Sequence, residues 1–181
     1  MKRILSLLLI AAALLLQGCT TSMSKGADRR TDGTYIDDGY IAETATTRIK
    51  SKYANKVHFN VNSYNRKVLI TGEVADEVVK TDITRIIGGV QNVTGINNEL
   101  VIGLLVARSS RSGDALTTSN VNLRLRDSGK TLDSDRVKVV TENGAVYLLG
   151  LVTRAEGKFA SDTASTSSGV KKVVPLFEYI D

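Results

Sequence analysis

Val68-Leu69-Ile70-Thr71-Gly72 is answered 78 positions later by Val146-Tyr147-Leu148-Leu149-Gly150. Each copy follows alternating apolar residues and a turn: Phe59 and Val61 before Asn65-Arg66-Lys67, Val137 and Val139 before Glu142-Asn143-Gly144. Alternation, a turn and a second apolar run describe a β-hairpin, here one whose second strand ends at a glycine. At the same offset Phe59 meets Val137, Val61 meets Val139 and Val74 meets Val152, so the chain contains an internal repeat and each copy is one small folding unit.

The flanks extend the repeat. Ile41, Ala45, Ile49 and Tyr53 recur every four residues, which predicts an amphipathic helix over 38–53 with one stripe on a core. After the hairpin, Val78, Val79, Ile83, Ile86 and Ile87 stand at helical spacing before Gly88-Gly89, and a strand over 95–102 closes the unit. In the second copy Asp114 is positioned to cap a helix whose stripe is Thr117, Val121 and Leu125. Thr153 and Glu156 have capping-box spacing ahead of Phe159, Ala160 and Ala164. The Ser/Thr content of 161–168 argues against a helix there, but the repeat overrides local propensity. Gly169-Val170-Lys171-Lys172-Val173 answers Gly89-Val90-Gln91-Asn92-Val93, and Pro175 in the closing strand points to a sheet edge. Gly72, Gly150, Gly89 and Gly169 are read as structural. The expectation is an α+β protein of two tandem α-β-β-α-β domains, 37–102 and 114–181, joined by a linker over 103–113. Each domain is a small three-stranded mixed sheet packed on two helices.

The N-terminus has a different character. Lys2 and Arg3 precede an apolar run from Ile4 to Leu16 and then Gln17-Gly18-Cys19. This reads as a secretory signal over 1–18, too short to span a bilayer as a helix. Leu16-Gln17-Gly18-Cys19 resembles the lipobox of bacterial lipoproteins, which implies cleavage before Cys19, a diacylglycerol carried on its thiol, palmitate in the anchor, and, with Thr20 next, sorting to the outer membrane facing the periplasm. Residues 19–36 are mostly small and polar and read as a flexible tether with a reach on the order of 20–25 Å.

Composition excludes several functions. The net charge of +5 falls to +3 when Lys2 and Arg3 leave with the signal, and the two repeats are each neutral. With no Trp and 5% aromatic residues, neither a basic domain nor a stacking surface for nucleic acid is present. A single Cys excludes an intramolecular disulfide and a Cys-based zinc cluster. His58 is the sole histidine, lacks Cys, His or clustered carboxylates at ligand spacing, and reads as a surface or edge residue with no metal. With no nucleophile elbow and no phosphate loop, an enzyme, a cofactor and a small-molecule substrate are not expected.

A lipobox followed by two α-β-β-α-β copies with Val-x-Ile/Leu-x-Gly and a later Gly-Val-x-x-Val resembles the dual BON-domain periplasmic lipoproteins, the outer-membrane division and lipid-binding group. The resemblance covers nearly all of 37–180. It implies binding to an anionic phospholipid membrane, chiefly through the first helix of the second domain, a role in envelope integrity, and enrichment at the division site in some members.

The residues of that helix allow a check on the implication. On a wheel at about 100° per residue, Leu116 and Leu123 lie within about 20° of each other, nearly opposite the Thr117/Val121/Leu125 stripe. Ser119 and Asn120 flank the pair and Arg126 falls beside it, with Lys130 joining if the helix passes Gly129. An outward face that is apolar, hydrogen-bonding and cationic suits a membrane interface. The first-repeat equivalents of the two leucines, Tyr40 and Thr47, make a poorer one. Two function classes follow: a phospholipid-binding module, or a protein-protein adaptor for outer-membrane assembly or envelope-stress machinery, for which a sheet edge could be augmented by a partner strand.

Overall fold

The computed structural model describes residues 28–103, 108–127 and 132–181; Cys19 and Lys130 lie outside them. In chain order the elements are α1 (Asp32–Tyr53), a 3-10 turn (Ala54–Lys56), β1 (His58–Tyr64), β2 (Lys67–Val74), α2 (Glu77–Gly88) and β3 (Gly95–Ile102). The second set is α3 (Arg108–Asp127), a 3-10 turn (Ser134–Arg136), β4 (Val137–Glu142), β5 (Ala145–Val152), α4 (Arg154–Ser165) and β6 (Lys172–Tyr179). Each sheet is mixed, with the second hairpin strand central: β1 and β4 pair with it antiparallel, β3 and β6 parallel. Pro175 lies in β6, an edge strand, where a missing N–H costs least.

The repeated phrase is apolar apart from Thr71, and buried throughout, because both faces of the central strand are covered. Val68, Ile70 and Val74 join Ile41, Ala45, Ile49, Ile83 and Ile87 in a core against α1 and α2. Val146, Leu148 and Val152 do the same with Val121, Leu125, Ala160 and Ala164 under α3 and α4. The alternate residues form a third cluster in which Tyr64 and Leu69 meet Tyr147 and Leu149, so the two sheets pack face to face. The order of layers is helices, sheet, sheet, helices. That sheet-on-sheet seam is a feature the sequence pattern does not announce.

The structure corrects several boundaries. α1 begins at Asp32, not 38: the Thr31 hydroxyl accepts the Thr34 N–H at 3.1 Å and starts the helix inside the stretch assigned to the tether. α3 begins at Arg108 within the expected linker, so Asp114 is no cap but an interior residue of the helix. Its buried carboxylate accepts the Asn143 and Gly144 N–H groups at 2.8 Å each. Asp38 does the same for Asn65 and Arg66 in the first repeat, at 2.8 and 2.7 Å. Both turns hold two consecutive residues at positive φ, and the carboxylate from the first helix pins each one.

Gly72 and Gly150 do not end their strands, which continue two residues further. Gly72 adopts φ +127°, where a Cβ would lie 2.1 Å from the His58 carbonyl oxygen; at Gly150 it would lie 2.5 Å from the Arg136 carbonyl oxygen. At Gly169, with φ +87°, a Cβ would lie 2.2 Å from the Thr117 hydroxyl oxygen, whereas a Cβ at Gly89 would meet nothing closer than 3.6 Å. Asn92, at φ 68°, supplies the positive φ of the first-repeat turn that Gly169 supplies in the second. The Thr153/Glu156 capping box is formed in both directions, which explains how a helix of poor propensity starts firmly.

Candidate functional site on the first helix of the second repeat

Helix α3 is fixed from beneath. Thr117, Val121 and Leu125 are buried, the Thr118 hydroxyl donates to Thr141 Oγ1 at 2.7 Å, and Arg124 Nη1 donates to Ser167 Oγ at 3.3 Å. A helix held by one side presents the other as a rigid surface. On that surface Leu116 is 67% exposed and Leu123 53% exposed, with Ser119 and Arg126 also exposed. Arg126 forms no ion pair among the described residues, so its charge is available to an external anion. Asn120 is half-buried and its amide Nδ2 donates to the Ser168 carbonyl at 3.4 Å, so it turns toward its own domain more than the wheel places it.

Beside Leu116 a shallow cavity of about 440 Å³ is lined by Asn120, Asn143, Ser168 and Lys171 among others. Lys171 is a cation the helical wheel could not find, because it reaches the site from the turn before β6 with its aliphatic stem under Gly144. The equivalent surface of α1 is also apolar: Tyr35, Ile36 and Tyr40 are all more than half exposed. The expectation that this face is the poorer one therefore needs a different reason, namely its acidic neighbours Asp32 and Glu43.

The BON-domain family model matches residues 37–103 and 113–181, three quarters of the chain, in two copies. The chain belongs to the BON-domain family. It is 35% identical over 184 residues to the outer membrane lipoprotein DolP of Haemophilus influenzae, covering 96% of this chain and 95% of that one. It is 28% identical over 159 residues to a 21 kDa hemolysin of Actinobacillus pleuropneumoniae, covering 87% and 81%. Among the described residues no helix is long and apolar enough to cross a membrane.

Polar groups between the two BON domains form a second constellation. His58 lies in the edge strand β1, as expected, but it is neither at the surface nor apart from carboxylates: its side chain is only 14% exposed, and Nδ1 lies 2.9 Å from Glu73 Oε2 and 3.8 Å from Glu142 Oε1. The carboxylates were invisible as a cluster because Glu73 comes from the neighbouring strand and Glu142 from the other domain. The register that sets His58 opposite Glu73 is the signal that a hairpin alignment could have supplied. Further along the seam, burial and the nearby Glu99 push the Tyr147 phenol up to about 12, so it stays a neutral donor to Glu99 Oε2.

Proposed function

We propose that this BON protein is an outer-membrane lipoprotein on the periplasmic face, anchored through Cys19, whose second BON domain binds anionic phospholipid through the outward face of α3 and so supports envelope integrity. The observation that carries this reading is the pairing of exposed Leu116 and Leu123 with an exposed Arg126 that has no ion-pair partner among the described residues, on a helix whose opposite side is locked in a core. Similarity to an outer membrane lipoprotein over nearly the whole length of both chains supports the location. Two leucines entering a leaflet contribute roughly 3–6 kcal/mol as an upper bound, and each cation near an anionic surface about 1 kcal/mol. Such a contact is weak alone. Acylation at Cys19 makes it effectively intramolecular, at a local concentration on the order of millimolar, so a weak site is well occupied.

Flotation with vesicles containing anionic lipid tests the reading on the chain from position 19 with Cys19→Ser, which removes the anchor but keeps both domains. Leu116→Glu is expected to reduce binding sharply with an unchanged melt, because the side chain lies outside the core, while Leu125→Glu unfolds the domain. Charge reversal at Arg126 is expected to weaken binding and its salt dependence, and Tyr40→Glu to leave binding unchanged. Wild-type binding by a folded Leu116→Glu protein would move the lipid face elsewhere. The adaptor reading would then lead, drawing on the exposed edge residues Val101 and Ile102 of β3.

A further inference from the structure

We propose that His58, Glu73 and Glu142 form a binding site for a divalent transition-metal ion of the zinc class, bridging the two BON domains. The three ligand atoms, one imidazole nitrogen and two carboxylate oxygens, lie within 4.8 Å of one another. At metal–ligand distances of about 2.0–2.2 Å, tetrahedral ligands stand roughly 3.3–3.5 Å apart. The observed 2.9 and 3.8 Å from His58 Nδ1 to Glu73 Oε2 and Glu142 Oε1 bracket that value, and the ligand oxygens of the two carboxylates, no more than 4.8 Å apart, would draw together on the ion.

The outer oxygens are already occupied. Glu73 Oε1 accepts from the Asn143 amide at 2.8 Å, and Glu142 Oε2 accepts from the Asn60 amide at 2.8 Å and the Thr71 hydroxyl at 2.9 Å. These bonds aim Glu73 Oε2 and Glu142 Oε1 at the imidazole, the arrangement in which supporting hydrogen bonds orient metal ligands. Glu142 Oε1 accepts no hydrogen bond among the described residues and faces the cleft beside His58, where it is free to ligate an ion.

Charge makes the same point independently. Neither carboxylate has a Lys or Arg partner among the described residues; His58 is the one basic group within ion-pair distance of either. Two ionised carboxylates carry −2 between them, against which one imidazole can supply at most a single positive charge. A divalent cation cancels it. The imidazole selects a zinc-like ion over magnesium or calcium, which favour all-oxygen sites. A cleft of about 470 Å³ lined by His58, Asn60, Asp114 and Glu142 gives the ion an entry path and leaves its fourth position open to solvent. Because Glu142 belongs to the second domain and the other two ligands to the first, the ion would clamp the domains together.

The test uses the chain from position 19 with Cys19→Ser, so that the thiol is neither acylated nor a competing ligand. After stripping with chelator, titration with zinc chloride at neutral pH is expected to show one saturable ion per chain and a raised Tm, neither of which magnesium chloride reproduces. His58→Gln, which retains a donor to Glu73, and Glu142→Gln are each expected to lower zinc affinity at least 10-fold. The absence of one-to-one binding, or wild-type zinc affinity in either folded variant, overturns the proposal. If those variants do not fold, cobalt(II) added to the His58-containing protein gives the decision: intense visible absorption of a four-coordinate ion, displaced by one equivalent of zinc, supports the site, and its absence overturns it.

Discussion

Arg29 reaches across 127 positions of sequence to Glu156, placing Nη1 2.6 Å from Oε2 and Nη2 3.0 Å from Oε1. Arg29 stands before the first domain, whereas Glu156 closes the capping box of α4 in the second. The segment leading into the fold is thus a strap across both domains, fastened again where Arg29 Nη1 donates to the Leu151 carbonyl at 3.0 Å. Arg29 to Ile36, assigned from the sequence to the tether, are part of the fold.

The pair sets a pH dependence. Glu156 is held down to about 2, first by the Arg29 hydrogen bonds and further by the Thr153 N–H and Arg136, against the opposing effect of burial. Its folded pKa lies below the unfolded value near 4.5, so the stabilisation is complete above pH 4.5 and disappears as pH falls toward 2. Arg29→Ala is expected to cost about 1–3 kcal/mol at pH 7 and to flatten the decline in stability between pH 4.5 and 2. Denaturant melts at a series of pH values check both.

Asp114→Ala removes the acceptor for two turn N–H groups in the second hairpin. With those donors left in a largely buried turn, the expected loss is about 2–4 kcal/mol, read by thermal or urea melts. Asp114→Glu should recover little, since the longer side chain shifts both oxygens.

Glycine substitutions should separate by position. Gly72→Val and Gly150→Val each drive a side chain into a neighbouring backbone carbonyl and are expected to cost about 3 kcal/mol or more, with loss of folding an acceptable result at Gly72. Gly89→Ala, with ordinary room and φ −84°, should change stability by about 0.5 kcal/mol at most. Equal melts for Gly150→Val and Gly89→Ala would contradict the packing described.

The seam between the sheets makes the domains interdependent. Leu149→Ala is expected to destabilise by about 2–4 kcal/mol, as for a leucine removed from a core. A fragment over 112–181 should bind a hydrophobic dye or self-associate, because Tyr147 and Leu149 lose their cover. A monomeric fragment that binds no dye would show the seam to be dispensable.

The repeat, the order of elements, the core stripes and the capping box were all legible in the chain, because each rests on spacing within a single element and the two copies corroborate one another. The same spacing placed Leu116 and Leu123 opposite the stripe of their helix. The tertiary structure alone decided what lies on the second face of each sheet: a pattern of consecutive apolar residues says that both faces of β2 and β5 are covered, not that they cover each other. It also decided the company of polar residues. Asp114 looked like a cap until the turn of its own hairpin was brought to it, and His58 looked solitary until Glu73 arrived through strand register and Glu142 from another domain. Local sequence fixes the direction of a side chain relative to its own helix or strand, whereas its partner depends on how two elements distant in the chain are packed.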